Sequence, residues 1–315
     1  MTPGRAFALC NIASARGERQ AALVARYDGL QLMPTETEAS MREALAGIDW
    51  REDDLLAICG GDGTLSAALT ELLKIRGQRQ NAALPAVAAL PGGSTNMSAF
   101  DVNRTRRLRG CLRALARGLR EGLEITERAV VRVTEPDAAR CGFFVGAGAI
   151  VQGIEYCHET LYRGGAARVE ATAGLAMLRA IWGVLRRQPP FTAAPRLAVC
   201  GATGRLESAE GALLFAGSTL DRLLVGVRPH WGQEPGSLRW TFVDRAARIG
   251  RHLPGLLGAP GFSRPSTAAG YFSHNAEALT LDLAGSGYTI DGELYAPPAA
   301  PLEIDARQRF RFARL

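Results

Sequence analysis

Lysine is almost missing from this chain of 315 residues: of 37 basic residues only Lys74 is a lysine, and the rest are arginine. A Walker loop, a protein-kinase lysine and a pyridoxal Schiff base each need a placed lysine. Lys74 stands in Leu72-Leu73-Lys74-Ile75-Arg76, late in an expected helix, and fits none of those contexts. The six cysteines (10, 59, 111, 141, 157 and 200) contain no Cys-x-x-Cys pair and no metal-ligand rhythm, and they read as small buried hydrophobes. The histidines (158, 230, 252 and 274) show no His-x-x-x-His spacing, and Ser94 lies outside any Gly-x-Ser-x-Gly elbow, so a hydrolase is unsupported. Aromatic residues make up 7% and are not interleaved with the arginines, which argues against nucleic acid. No apolar run reaches the roughly 18 residues that span a bilayer. The longest, Ala171 to Leu185, is interrupted by Arg179. The start, Met1-Thr2-Pro3-Gly4-Arg5, lacks a secretory layout, and the expectation is a cytoplasmic protein.

What is present is the balance of a globular protein: 47% apolar and 22% charged residues, with a net charge of +6. Genomic base composition accounts for most of the arginine excess. The positive charge still favours anionic partners such as nucleotides or phospholipid headgroups.

Along the first 125 residues, short apolar runs alternate with helical stretches. Strands are expected at Ala6–Cys10, Leu30–Met33, Leu55–Cys59 and Ala86–Leu90, and helices at Gly17–Tyr27, Thr37–Ala46, Thr64–Ile75 and Arg106–Leu119. Such alternation predicts a parallel sheet covered on both faces. Beyond Leu123 the texture becomes strand-rich: Glu124–Val133, Cys141–Val145, Arg196–Cys200, Ala212–Ala216, Leu223–Arg228, Leu238–Val243, Ala278–Leu283 and Tyr288–Ile290. An antiparallel second domain is expected there, interrupted by one helix over Ala166–Arg187.

The strongest local signal is Cys59-Gly60-Gly61-Asp62-Gly63-Thr64-Leu65-Ser66, between an apolar strand and a helix. Glycines let the backbone approach an anion, and a helix start offers free N–H groups and a positive dipole end. Asp62 adds negative charge to that loop, which points either to Mg²⁺ or proton transfer, or to a helix-capping carboxylate in a tight turn. Leu90-Pro91-Gly92-Gly93-Ser94-Thr95-Asn96-Met97 repeats the arrangement after the next strand, and two such turns together are suited to clamping a nucleotide. The dinucleotide fingerprint is absent, since Gly146-Ala147-Gly148 continues wrongly for it.

Gly60-Gly61-Asp62-Gly63-Thr64, Pro91-Gly92-Gly93-Ser94-Thr95-Asn96 and Ile290-Asp291-Gly292-Glu293 resemble, in order and spacing, the diacylglycerol kinase catalytic-domain family. That family includes bacterial lipid kinases and sphingosine and ceramide kinases, and is related to NAD kinases. The resemblance implies an α/β nucleotide-binding domain over 1–123, a β-sandwich-like lipid domain over 124–300, and a segment, 301–315, that packs back on the first. It implies ATP and Mg²⁺ as cofactors and a membrane lipid as acceptor, diacylglycerol by default. A ceramide, sphingoid base or polyprenol, or a nucleotide- or lipid-binding protein without turnover, are the alternatives on this scaffold.

By that resemblance Gly60, Gly61, Asp62, Gly63, Thr64 and Ser66 hold phosphates, and Ser94 and Asn96 match the family's Gly-Thr-x-Asn. Asn11 to Ala15, including Ser14, match the first-strand loop, with Ile12 where a proline is usual, and Thr35 matches a nucleotide-contacting threonine. Asp291 matches the general base, with Glu293 as a supporting carboxylate. Taken alone, without the two glycine loops, Asp291-Gly292 reads as a surface hairpin turn.

Two departures stand out. Gly-Asn-Asp becomes Thr95-Asn96-Met97, and the Asp-Asp-Gly stretch that binds an auxiliary Mg²⁺ in some bacterial members becomes Gln233-Glu234-Pro235-Gly236. The Asn-Asn-Asp-type motif of NAD kinases is not apparent. Peripheral contact with the inner membrane surface is expected, with two candidate regions. One is the arginine-rich helix whose Leu108, Leu112, Leu115 and Leu119 face inward; the other is the Trp182-bearing stretch 166–187. A homodimer is left open.

Overall fold

The computed structural model describes residues 1–14, 16–79, 83–93, 95–164, 183, 196–201, 204–207, 211–223 and 227–315. In chain order the elements are β1 (Ala6–Asn11), α1 (Gly17–Val24), β2 (Gln31–Thr35), α2 (Glu38–Ala46), β3 (Leu55–Gly60), α3 (Asp62–Gln78), β4 (Ala86–Pro91), α4 (Met97–Val102), α5 (Leu108–Glu121), β5 (Ile125–Ala129), β6 (Val131–Glu135), β7 (Ala138–Gly142) and β8 (Phe144–Gly148). They continue with α6 (Ala149–Gly164), β9 (Ala198–Gly201), β10 (Gly204–Glu207), β11 (Ala212–Ser218), β12 (Leu238–Asp244), α7 (Ile249–Leu257), β13 (Tyr271–Ala276), β14 (Ala278–Asp282), β15 (Tyr288–Ile290), β16 (Glu293–Tyr295), β17 (Leu302–Asp305) and β18 (Arg309–Ala313).

The chain divides into two units. The first comprises Met1–Val130, Arg140–Phe143 and Gln308–Leu315. Its sheet runs β2-β1-β3-β4-β18-β5. Strands β1 to β4 pair in parallel, as the βα alternation predicts, and β18 joins β4 in parallel and β5 antiparallel. Every second residue of the central strands (Ala8 and Cys10, Leu55, Ala57 and Cys59, Ala86, Ala88 and Leu90) packs on α1 and α5 through Ala21, Val24, Leu112 and Leu115. The intervening residues, Leu9, Leu56, Ile58 and Val87, are buried as well. A sheet buried on both faces needs apolar residues at every position, which is why these strands read as unbroken runs. The leucines of α5 turn inward, and Arg109, Arg113 and Arg120 are exposed on its other face. The six cysteines are free thiols, and burial pushes Cys111 up to about 11.

The second unit comprises Val131–Ala139 and Phe144–Arg307. Its strands form two six-stranded sheets, β10-β9-β14-β17-β6-β7 and β13-β12-β11-β8-β15-β16, with antiparallel pairing. Tyr271, Val243 and Leu213 of the second sheet pack with Ala149 of α6 and Ile249 and Leu256 of α7.

Several elements differ from expectation. The strand expected over Glu124–Val133 breaks at Val130, whose N–H bonds to the Gln308 carbonyl, so β5 belongs to the first unit's sheet and β6 to the second unit. Cys141–Val145 is likewise two strands, β7 and β8, either side of Phe143. Helices α4, α6 and α7 were not anticipated. The helix expected over 166–187 lies outside the described residues apart from Gly183, as do 224–226 of the expected strand Leu223–Arg228. Among the described residues no helix is long and apolar enough to cross a membrane.

Candidate active site

In the first unit the strand order reverses direction between β1 and β3, so the carboxyl ends of these neighbours open a crevice of the kind in which α/β sheets bind ligands. Asn11 ends β1, and its Nδ2 donates across that crevice to Thr64 Oγ1 at 3.2 Å. Its Oδ1 accepts from Ala13 N–H at 3.1 Å, which curls the following loop into an Asx turn. Ser14, exposed in this loop, donates from Oγ to the Asn11 carbonyl at 3.2 Å.

The two glycine loops meet backbone to backbone. Gly92 N–H donates to the Gly60 carbonyl at 2.9 Å, one step past the paired ends of β3 and β4. A Cβ on Gly92 would lie 2.8 Å from Gly60 N, and one on Gly93 would lie 2.5 Å from Gly61 Cα. These glycines are required by close approach rather than by a left-handed backbone. A Cβ on Gly60 would strike Thr64 at 2.6 Å, at the first turn of α3. No side chain caps that helix, and its first internal bond runs from Leu65 N–H to the Gly61 carbonyl. The preceding amides therefore point outward at the loop, as phosphate oxygens require.

Asp62 is buried at the head of α3, yet its carboxylate serves the other loop. Oδ2 accepts from Thr95 Oγ1 at 2.8 Å and from Met97 N–H at 3.0 Å, and Oδ1 accepts from Ser98 N–H at 3.0 Å. It thus caps α4, the helix that follows the second loop, and not α3. The second loop is closed on itself by Asn96: Gly93 N–H donates to Asn96 Oδ1 at 2.8 Å and Asn96 Nδ2 donates to the Gly93 carbonyl at 2.6 Å. Asn96 takes a left-handed backbone (φ 49°), which asparagine tolerates better than most residues. Where the family carries an acid after this asparagine, Met97 contributes only its N–H.

Other expected residues are placed as follows. Thr35 ends β2, buried, with Oγ1 turned to the Cys10 carbonyl at 3.4 Å while its own carbonyl accepts from Ile12 N–H. Ser66 is buried one turn into α3. Ser94 lies outside the described residues. Sequence reasoning missed Gln20: from α1 its Nε2 donates to the Gly92 carbonyl at 3.0 Å, bracing the second loop from beneath. A polar residue in a helix gives no spacing signal of that kind. It also missed Thr95, which lies inside a quoted motif but reveals its role only through Asp62.

In the second unit Asp291 and Gly292 are the two central residues of the β15–β16 hairpin, both left-handed (φ 49° and 95°), as a type I′ turn demands. Within the turn Asp291 is buried, whereas Gly292 is half-buried with open space beside it. Phe144 N–H donates to Asp291 Oδ1 at 2.8 Å, and Asp291 N–H returns a bond to the Phe144 carbonyl at 3.0 Å. Glu293, next in chain, is exposed, and its carbonyl accepts from Thr289 Oγ1 at 2.8 Å. Asn96, Asp291 and Ala284 are the non-glycine residues with positive φ among the described residues, so two of the three are expected site residues.

The fold and this loop pair define a class: an α/β unit with two interlocked glycine loops at its sheet edge, followed by a unit of antiparallel strands. Residues 11–127 match the family model of the diacylglycerol kinase catalytic domain, so the resemblance read from the motifs is shown over that segment. Solved structures share the fold of nearly the whole chain. One, provisionally described as a diacylglycerol kinase from Bacillus anthracis str. Sterne, is 14% identical with a TM-score of 0.66, covering 99% of this chain and 97% of that one. A diacylglycerol kinase structure from the same organism is 13% identical with a TM-score of 0.62, covering 98% and 96%. No curated protein matches the sequence.

Proposed function

We propose that the protein is an ATP-dependent lipid kinase that phosphorylates the hydroxyl of diacylglycerol to give phosphatidic acid. The observation that carries this reading is the interlocked pair of glycine loops at the carboxyl edge of the first sheet, within the segment matched by the diacylglycerol kinase catalytic domain. A cradle that a Cβ on Gly60, Gly92 or Gly93 would fill, beside an uncapped helix start, fits the phosphates of a nucleotide.

Asn11, Ser14, Thr35, Gly60, Gly61, Gly63, Thr64, Ser66, Ser94 and Asn96 are assigned to nucleotide binding. Asp62 holds the second loop in register with the first. The lipid oxygen attacks the γ-phosphorus, the bond from that phosphorus to the β–γ bridging oxygen breaks, ADP leaves, and the hydroxyl proton passes to the Asp291 carboxylate. Glu293 is a supporting carboxylate beside it in sequence. Magnesium bound with the nucleotide would offset phosphate charge.

Access to a lipid acceptor calls for contact with a membrane surface. A cavity of about 320 Å³ on the first unit, lined by Arg16, Arg19, Arg26, Arg109, Gln20 and Leu23, supports a basic face for that contact.

The test is transfer of labelled phosphate from ATP with Mg²⁺ to micellar diacylglycerol, ceramide, sphingosine and a polyprenol, with Asp291→Asn alongside. Labelled phosphatidic acid that disappears in the variant is the expected result. ATP binding without product from any lipid would instead favour a binding protein on this scaffold.

A further inference from the structure

In the second unit, the segment that leads into β12 occupies the place where the family resemblance implies an auxiliary Mg²⁺, with Glu234 as its one acidic side chain. A hard divalent cation needs about six oxygen ligands, supplied by carboxylates, carbonyls and water. The Glu234 carboxylate and the carbonyls of Trp231, Gly232 and Glu234 are already engaged, and Asn275 Oδ1, buried without a hydrogen-bond partner, is a single oxygen against the about six a cation needs. Glu234 Oε1 accepts from His274 Nδ1 at 2.5 Å, and Oε2 accepts from the N–H groups of Asn275 and Gln233, both at 3.1 Å. The carbonyls of Gly232 and Glu234 accept from Asn275 Nδ2 at 3.1 and 3.0 Å, and the Trp231 carbonyl accepts from Gln233 Nε2 at 3.2 Å.

The donor side is equally fixed. An ionised carboxylate only accepts, so Nδ1 of His274 carries the proton. The His274 ring rests against Trp240 at 5.1 Å between centroids, and His274 and Trp240 are paired across β13 and β12. The loop lies flush on β13: a Cβ on Gly232 would come within 2.5 Å of the His274 carbonyl carbon, and one on Gly236 within 2.4 Å of that of Ala276. A coordination shell has no room between these backbones.

We infer that the loop 231–236 is fastened to β13 by the side chains of His274 and Asn275 in place of a divalent cation, so that this chain has no auxiliary metal site there. Protein donors take up the oxygens that an ion would otherwise collect. The inference goes beyond the kinase reading and stands or falls without it, because its readout is stability in the absence of nucleotide.

The experiment is thermal unfolding of the full chain without nucleotide, in EDTA and in excess Mg²⁺, Mn²⁺ or Ca²⁺, for wild type and Glu234→Gln. The expected result is the same response to metal in both. A metal-dependent rise in the wild-type midpoint that Glu234→Gln lacks would overturn the inference. Asn275→Ala, which leaves the Trp240 contact in place, is expected to lower the midpoint by about 4 °C, equally in EDTA and in metal, from the loss of its side-chain bonds. A variant as stable as wild type would refute the fastening. Should Glu234→Gln fail to fold, Mn²⁺ broadening of the His274 ring signals in the wild type answers the same question: none is expected, and broadening overturns the inference.

Discussion

Asp62 in the first unit and Asp291 in the second are buried aspartates beside glycines, and both take N–H groups from distant segments. Their geometries differ. Asp62 sits in an ordinary helical turn and spends its carboxylate on three donors from one neighbouring loop, 33 to 36 residues further along. Asp291 is itself the left-handed residue of a hairpin, and its main chain and Oδ1 exchange bonds with Phe144. The first arrangement positions a loop through a side chain. The second positions a side chain through a left-handed main chain.

The contact that defines the first site is the one whose loss has the largest effect. In Gly93→Ala the added Cβ meets the Gly61 main chain at 2.5 Å, where no rotamer change gives relief. ATP binding should vanish and stability fall by roughly 3 kcal/mol. Gly61→Ala is the matched control, because its Cβ would lie 3.4 Å from Gly93 Cα and its backbone is extended. It should fold nearly as well as wild type. Thermal unfolding of both variants, with calorimetric ATP titration of Gly93→Ala, checks this, and equal loss of stability in both would mean that the interlock is not what shapes the loops.

Asp291→Asn comes next, and it separates the two aspartates by role. Asparagine keeps the left-handed turn and an Oδ1 acceptor for Phe144, so stability should change by less than about 1 kcal/mol. Phosphoryl transfer to lipid should fall by about 10²- to 10⁴-fold. Initial rates on diacylglycerol micelles decide it, and a variant of wild-type rate removes Asp291 from proton transfer.

How much of this is legible in the sequence depends on how far apart the partners are. The strands β1, β3 and β4 read correctly because burial on both faces leaves an apolar run, and the glycine loops read because their requirement is local. The Asp291-Gly292 turn reads as a hairpin for the same reason, but not the burial of Asp291, which Phe144 brings from 147 residues away. Asp62 is ambiguous for the same cause: a cap is one reading of the loop, yet the helix it caps starts beyond the next strand. Helix α7 carries Pro254 in its interior and α6 follows directly on β8, so neither shows the usual boundary signals. β18 finds its sheet only through pairing with β4 and β5 across most of the chain.

Asp62→Asn ranks third, and its signature should be the reverse of Asp291→Asn. One carboxylate oxygen becomes an NH₂ that faces N–H or O–H donors, so at least one of the three bonds is replaced by an opposed pair of donors. Stability should fall by about 2 kcal/mol, with weaker ATP binding as α4 and the second loop loosen. Denaturant midpoints alongside ATP affinity test this. Unchanged stability with abolished turnover would return Asp62 to a direct part in the chemistry.

The smallest effect probes the second unit away from either aspartate. Burial, with Arg239 and Arg264 nearby, pushes His230 down to about 3, and its Nδ1 lies 3.0 Å from Thr241 Oγ1, whose hydroxyl donates to the Pro229 carbonyl. A ring held neutral in the folded state and titrating near the usual 6.5 in the unfolded chain contributes fully above pH 6.5. That contribution is lost progressively as pH falls toward 3, because protons then favour the unfolded chain. Carboxylates also titrate at the lower end, so the informative quantity is the difference between wild type and His230→Gln from pH 7 to 5. Wild type should lose stability faster on acidification over that interval, by up to about 2 kcal/mol. Parallel curves for the two proteins would show that His230 is solvated and that this part of the second unit is looser than the site in the first.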